Sequence, residues 1–247
     1  MDDIDFIAAL RTDGAALAAA ARRGLEATVP PCPGWTVADV VRHTGQVHRR
    51  RMMIVHDRLL EPPQAADPPA PPAGDELVDW FEQGLAALVT VLGREDPSTP
   101  VWSFHPPDQT VRFWRRRMAH ETAVHRADAQ AAHGPVEPVV PAELAADGID
   151  EVLEVFLAPR SERLRIGGDG RSLHLHCTDT EGEWLLELLP DRVVVGRGHA
   201  KGDCAARGSA SDLMLYLWGR GPASRLETFG DAALLTRVRE LASQATG

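Results

Sequence analysis

The segment that most constrains this chain is residues 111–133, which contain no proline or glycine and are rich in alanine and arginine. Such a composition favours one uninterrupted helix. Trp114, Met118, Glu121 and His125 recur along it at spacings of three and four, so they share one helix face. The predicted face begins apolar and then carries a carboxylate and an imidazole one turn apart.

This pair predicts a metal site that needs a third ligand. Glu121 and His125 are close enough on a helix to hold one ion between them. His43 lies in the middle of another predicted helix, and facing helices of a bundle often supply metal ligands together. Two histidines and a carboxylate match open zinc sites. His120 competes with Glu121, but neighbours point about 100° apart on a helix, so His120 is expected at the rim.

Composition excludes several classes of protein. The net charge of −10 argues against a general nucleic-acid binder or a membrane-surface protein. The three cysteines are widely spaced and form no Cys-x-x-Cys motif, which predicts a reducing compartment without a disulfide framework. The first residues are acidic where a signal peptide would be basic, and no apolar run reaches membrane-spanning length. We therefore expect a cytoplasmic protein with neither nucleic acid nor membrane as partner.

The pattern of elements predicts two domains, residues 1–137 and 138–247. The first domain is a four-helix bundle with two long connections, its helices near 4–25, 36–59, 75–92 and 111–133. Thr36 is the expected N-cap of the second helix, and the basic run at 115–117 is expected to be a solvated face. The second domain is α+β, with helices near 141–157, 211–218 and 231–242. Its strands are predicted near 172–177, 184–189, 192–196, 204–208 and 225–229, and because they follow one another the sheet is expected to be antiparallel.

Two motifs extend these inferences to a family. Residues 31–43 (PCPGWTVADVVRH) and 117–128 (RMAHETAVHRAD) resemble the mycothiol-dependent maleylpyruvate isomerase family. Residues 215–231 resemble the end of that family's second domain. The resemblance implies an α+β protein: an N-terminal DinB-like four-helix bundle followed by a smaller α/β domain similar to sterol-carrier proteins.

The resemblance also implies a site. The family's metal ligands fall on His43, Glu121 and His125, and its functional arginine falls on Arg220, with Arg225 as second choice. It further implies a divalent metal, with zinc expected although nickel and other borderline ions accept the same ligands. The implied cofactor is mycothiol, a low-molecular-weight thiol, and the implied substrate is a small molecule.

Three functions remain open at this level. A metal with an open position can hold a thiolate, which predicts a mycothiol-using isomerase or S-transferase acting on a small electrophile. The same centre could instead be a metal-dependent hydrolase in which Glu121 or His120 assists a water. A third alternative is a non-catalytic protein that binds a small molecule. His174 and His176 share one face of a predicted strand and would form a second metal pair, but the sequence reveals no third partner for them.

Overall fold

The computed structural model describes residues 4–64, 68–134 and 139–246. The described residues divide into two compact units, the first within residues 5–134 and the second within residues 139–246. Among the described helices, none is both long and apolar enough to cross a membrane.

The first unit is the predicted helical bundle. Helix α4 packs mainly against α1 and α2, and α3 packs against α2 and α1. Leu10, Phe81 and Trp114 are fully buried between these helices. The four helices are α1 (Phe6–Ala21), α2 (Val37–His56), α3 (Glu76–Arg94) and α4 (Val111–Ala131).

A capping box fixes the start of α2. The Asp39 N–H donates to the Thr36 hydroxyl, and the Thr36 N–H donates to Asp39 Oδ2 at 2.9 Å. This reciprocal pair satisfies two of the donors that a helix start leaves without partners. The predicted N-cap is therefore confirmed, and it places His43 in the second turn of α2.

The second unit combines a five-stranded sheet with helices. Helix α5 continues directly as a π-helix over Glu151–Leu157. The sheet order is β3-β2-β1-β4-β5. The elements are α5 (Ala142–Asp150), the short α6 (Ala158–Arg160), β1 (Ser172–Cys177), β2 (Glu183–Leu188), β3 (Val193–Arg197), β4 (Cys204–Gly208), α7 (Ala210–Leu217), β5 (Glu227–Gly230) and α8 (Ala232–Thr246).

The sheet is mixed, so the expectation of an antiparallel sheet was wrong at one pair. β1–β2, β2–β3 and β4–β5 are antiparallel, but β1 and β4 run parallel. After β3, residues 198–203 lead the chain back past β2 and β1, and β4 then begins on the far side of β1. Strands that follow in sequence are not always neighbours in the sheet, and this short return decides the direction of the pair.

The two faces of the sheet have different side chains. Leu173, Leu175 and Trp184 are fully buried on the face that α7, α8 and the π-helix cover. Because side chains alternate along a strand, His174 on β1 and Glu183 on β2 lie on the opposite face.

Candidate metal centre

Three polar side chains meet between α2 and α4. His43, Glu121 and His125 each offer one ligand atom, and these atoms lie within 4.8 Å of one another. His43 Nε2 is 3.3 Å from Glu121 Oε1, and His125 Nε2 is 3.4 Å from the same oxygen. One carboxylate oxygen therefore faces two imidazole nitrogens.

These separations suit a shared ion. Ligand atoms about 2.0–2.2 Å from a tetrahedral metal lie roughly 3.3–3.5 Å from each other. Both distances to Glu121 Oε1 fall in that interval, whereas an ordinary N–H···O hydrogen bond is shorter. The donor set of two imidazoles and a carboxylate is also the set that zinc and similar borderline ions accept. The residues present therefore fit a divalent metal.

The second oxygen of Glu121 is held by Arg117. The guanidinium donates to Oε2 from one turn earlier on α4, and both side chains are buried. Burial by itself would raise the pKa of Glu121, but Arg117 and the two histidines outweigh it and hold that pKa well below the usual value. Glu121 is thus a carboxylate at neutral pH, which a metal ligand must be.

His125 is oriented by a buried carboxylate. Its Nδ1–H donates to Asp128 Oδ2 at 2.9 Å, and Asp128 is fully buried. A carboxylate bound to the far nitrogen fixes the ring and makes it a better metal ligand. Burial lowers the pKa of His125, but Asp128 and Glu121 outweigh it and raise it to about 9. In the metal-free protein His125 therefore carries a proton that a metal must displace.

His43 is the accessible member of the set. Its side chain is 42% exposed, so it borders solvent while its Nε2 points at Glu121. The ring of Trp35 lies 5.3 Å from that of His43 and 6.4 Å from that of His125, nearly parallel to the latter. Trp35 is half-buried and flanks both histidines.

Arg117 and Asp128 were not predicted as members of the site. Both lie on α4 at helical spacing from a ligand, Arg117 four residues before Glu121 and Asp128 three residues after His125. Opposite charges at these spacings are neighbours on a helix, so the same spacing argument that paired Glu121 with His125 could have found them. The expectation that residues 115–117 form a solvated face was wrong, because Arg117 is buried against Glu121.

His120 is not at the rim, and that expectation was wrong as well. It is fully buried, with its ring 5.9 Å from that of Phe6. The offset of about 100° from Glu121 is as expected, but it directs the ring towards α1 and not towards solvent. Since α1 covers this side of α4, the neighbouring position on the helix is core.

The predicted functional arginine lies just after α7. Arg220 is half-buried, and its guanidinium donates to the Trp218 carbonyl at 2.6 Å. Its backbone N–H donates to the Leu215 carbonyl at 2.7 Å. Arg225 lies 3.5 Å from Asp212 Oδ1. These contacts place Arg220 at the end of α7 and Arg225 beside its first turn, and a role in binding substrate stays a prediction.

Comparison with known proteins identifies the family. The mycothiol maleylpyruvate isomerase N-terminal domain matches residues 7–130, and the C-terminal domain of the same family matches residues 143–237. The chain belongs to the mycothiol maleylpyruvate isomerase family. The crystal structure of a mycothiol-dependent maleylpyruvate isomerase is similar at a TM-score of 0.63 and 15% identity, covering 91% of each chain.

A histidine-to-alanine mutant of a mycothiol-dependent maleylpyruvate isomerase aligns equally well, with a TM-score of 0.63, 14% identity and 91% of each chain covered. At such identities the likeness shows the fold alone, and it confirms the predicted fold class. No curated protein matches the sequence.

Proposed function

We propose that this protein is a metal- and mycothiol-dependent enzyme that isomerises a small electrophilic substrate or conjugates it to the thiol. The observation that carries the proposal is the convergence of His43, Glu121 and His125 on one point, in a chain of this family. The metal, when bound, would supply a Lewis acid that stabilises a thiolate at neutral pH.

The chain's own residues would prepare this site in three ways. Arg117 keeps Glu121 ionised and holds one of its oxygens, so only the other oxygen is presented to the ion. Asp128 orients His125, and its negative charge stabilises the positive charge on the His125 ring. Trp35 flanks both histidine rings and restricts access of water from its side.

The accessible side of the site would accept the thiol. His43 is the exposed ligand, so an incoming sulfur reaches the centre beside it. Arg220 would orient a carboxylate of the substrate through a two-pronged contact, which the planar guanidinium provides and an ammonium does not. In an isomerisation the thiol is recovered unchanged, whereas in a transfer it leaves bonded to the product.

The test is incubation of the zinc-loaded protein with mycothiol and a panel of electrophiles that includes a cis-unsaturated diacid, read by mass spectrometry. We expect product that requires both metal and thiol, either the trans isomer or a conjugate. His43→Gln should abolish product formation. His56→Gln is the matched control, because His56 is an exposed α2 histidine whose Nδ1 lies 2.8 Å from Oδ1 of the neighbouring Asp57, away from Glu121.

Calorimetry separates the alternatives. Thiol binding should release a proton, because the thiolate is the form that ligates a metal, and two buffers of different ionisation enthalpy reveal it. Turnover that is independent of thiol would replace this proposal with a metal-dependent hydrolase. Metal binding without proton release, thiol affinity or any product would leave a small-molecule-binding protein.

A further inference from the structure

The second unit carries its own cluster of histidines around a carboxylate. His174, Glu183 and His199 each offer a ligand atom, and these atoms lie within 4.8 Å of one another. The rings of His174 and His199 are perpendicular, with centroids 5.4 Å apart. His199 is the third partner that the alternating pattern of β1 does not reveal.

The topology of the sheet creates this juxtaposition. His176 on β1 pairs directly with Glu183 on β2, and His174 lies two residues earlier on the same face. His199 comes from residues 198–203, which return from β3 to β4. Gly202 lets this segment approach β1 closely, since a Cβ at this position would lie 3.0 Å from the backbone nitrogen of His174.

The pairing of oxygens with imidazoles is the same as in the helical unit. His174 Nε2 and His199 Nδ1 lie 3.5 and 3.1 Å from the same oxygen of Glu183, Oε2. The other oxygen, Oε1, accepts a hydrogen bond of 2.7 Å from His176 Nδ1. In both clusters one carboxylate oxygen is anchored by a donor, and the remaining oxygen faces two imidazoles. The 3.5 Å separation from His174 is that of two ligands around one tetrahedral ion, about 3.3–3.5 Å, whereas the 3.1 Å contact of His199 is a hydrogen bond that a bound ion would replace.

His174 distinguishes this cluster from an ordinary surface ion pair. Its side chain is only 9% exposed, and its buried Nε2 has no hydrogen-bond partner among the described residues. A buried polar atom left without a hydrogen bond costs about 1–3 kcal/mol, and coordination to a metal would satisfy it. His174 and His199 also border a cavity of about 540 Å³, which leaves room for water or a small ligand to complete the coordination.

We propose that His174, Glu183 and His199 bind a divalent cation of the borderline class, such as zinc, at a second metal site in the C-terminal unit. The chemistry of two imidazoles and a carboxylate selects this class over calcium and magnesium, which prefer oxygen ligands throughout. The proposal concerns the sheet alone and does not depend on the proposed function.

Zinc itself is the probe, applied to the full-length protein by equilibrium dialysis followed by elemental analysis. We expect two equivalents in the wild type and one in His199→Gln, whose side chain is 83% exposed and so is not needed for folding. Glu183→Gln should lose the same equivalent. Losing a residue that only orients a metal ligand weakens metal affinity by roughly 10- to 100-fold, so losing a ligand itself should weaken zinc affinity by at least as much. His56→Gln should retain both equivalents.

A His43→Gln background separates the two sites. We expect one equivalent in that variant and none when His199→Gln is added. If wild type and His43→Gln each bind one equivalent that His199→Gln removes, the site in the sheet stands and the metal of the proposed function fails. If zinc binding is the same with and without His199→Gln and Glu183→Gln, the second site does not exist.

Discussion

Replacing Asp128 with asparagine tests the metal site proposed between α2 and α4. The buried Asp128 carboxylate accepts a hydrogen bond of 2.9 Å from His125 Nδ1. Asparagine has nearly the same size and can still accept this hydrogen bond through its amide oxygen, so the change removes the negative charge while keeping this contact. Metal binding is therefore expected to respond through His125.

Two effects of opposite sign set the size of the change in zinc affinity. In the wild type the pKa of His125 is about 9, so at pH 7 a proton competes with the metal by about 100-fold, tenfold for each pH unit. Asp128→Asn lowers that pKa and relieves the competition. It also removes an outer-shell carboxylate, which weakens metal affinity by roughly 10- to 100-fold. At pH 9 the loss should be visible in full, and at pH 7 the two effects should largely cancel.

The assay is zinc affinity by competition with a chromophoric chelator at pH 7, 8 and 9. The wild-type affinity should rise with pH up to about 9, and the variant should rise less and then level off. Asp13→Asn is the matched control. It too removes a buried carboxylate that contacts α4, but Asp13 lies 2.7 Å from Arg126 and not beside a proposed ligand, so the zinc affinity of this variant should follow that of the wild type. Parallel curves for wild type and Asp128→Asn would refute the reasoning.

The same pKa predicts a change in the stability of the metal-free protein. The pKa of His125 is raised in the folded state from 6.5 to about 9. A raised pKa contributes stability that is fully present below pH 6.5 and is lost as the pH rises through 9. The contribution is about 3 kcal/mol, so metal-free wild type should lose more stability between these pH values than Asp128→Asn, as measured by urea unfolding.

Three further changes test the buried Arg117–Glu121 pair, the packing of α1 on α3 and the proposed role of Arg220. Arg117→Met leaves the buried Glu121 carboxylate without its guanidinium, and urea unfolding of the metal-free protein should show a loss of about 3–5 kcal/mol; a loss below about 1 kcal/mol would mean the pair is not needed. Gly14→Ala places a Cβ 2.4 Å from Cδ2 of Leu85 on α3 and should lower the free energy of unfolding by about 1–3 kcal/mol. Its control Gly93→Ala, with nothing within 4 Å, should instead raise stability by about 1 kcal/mol, and equal effects would contradict the packing argument. Arg220→Lys keeps the charge but loses the planar fork, so turnover should fall about tenfold or more with metal content unchanged, and unchanged turnover would remove the proposed role of Arg220.

Patterns within one element could be predicted from the sequence. The helical period places Glu121 and His125 on one face of α4, and it also places Arg117 and Asp128 beside them. The Thr36 cap is a local signal of the same kind. Each of these depends only on residues within one or two turns, whose relative positions the backbone geometry determines.

Contacts between elements were decided by the tertiary structure. The 3.3 Å approach of His43 to Glu121 requires α2 to pack on α4 at one rotation, and the burial of His120 requires α1 on the other side. His199 reaches Glu183 only because residues 198–203 return across the sheet to a parallel partner of β1. Such contacts depend on the packing of many side chains at once, because the free energy of one pair is small beside that of the core that positions it.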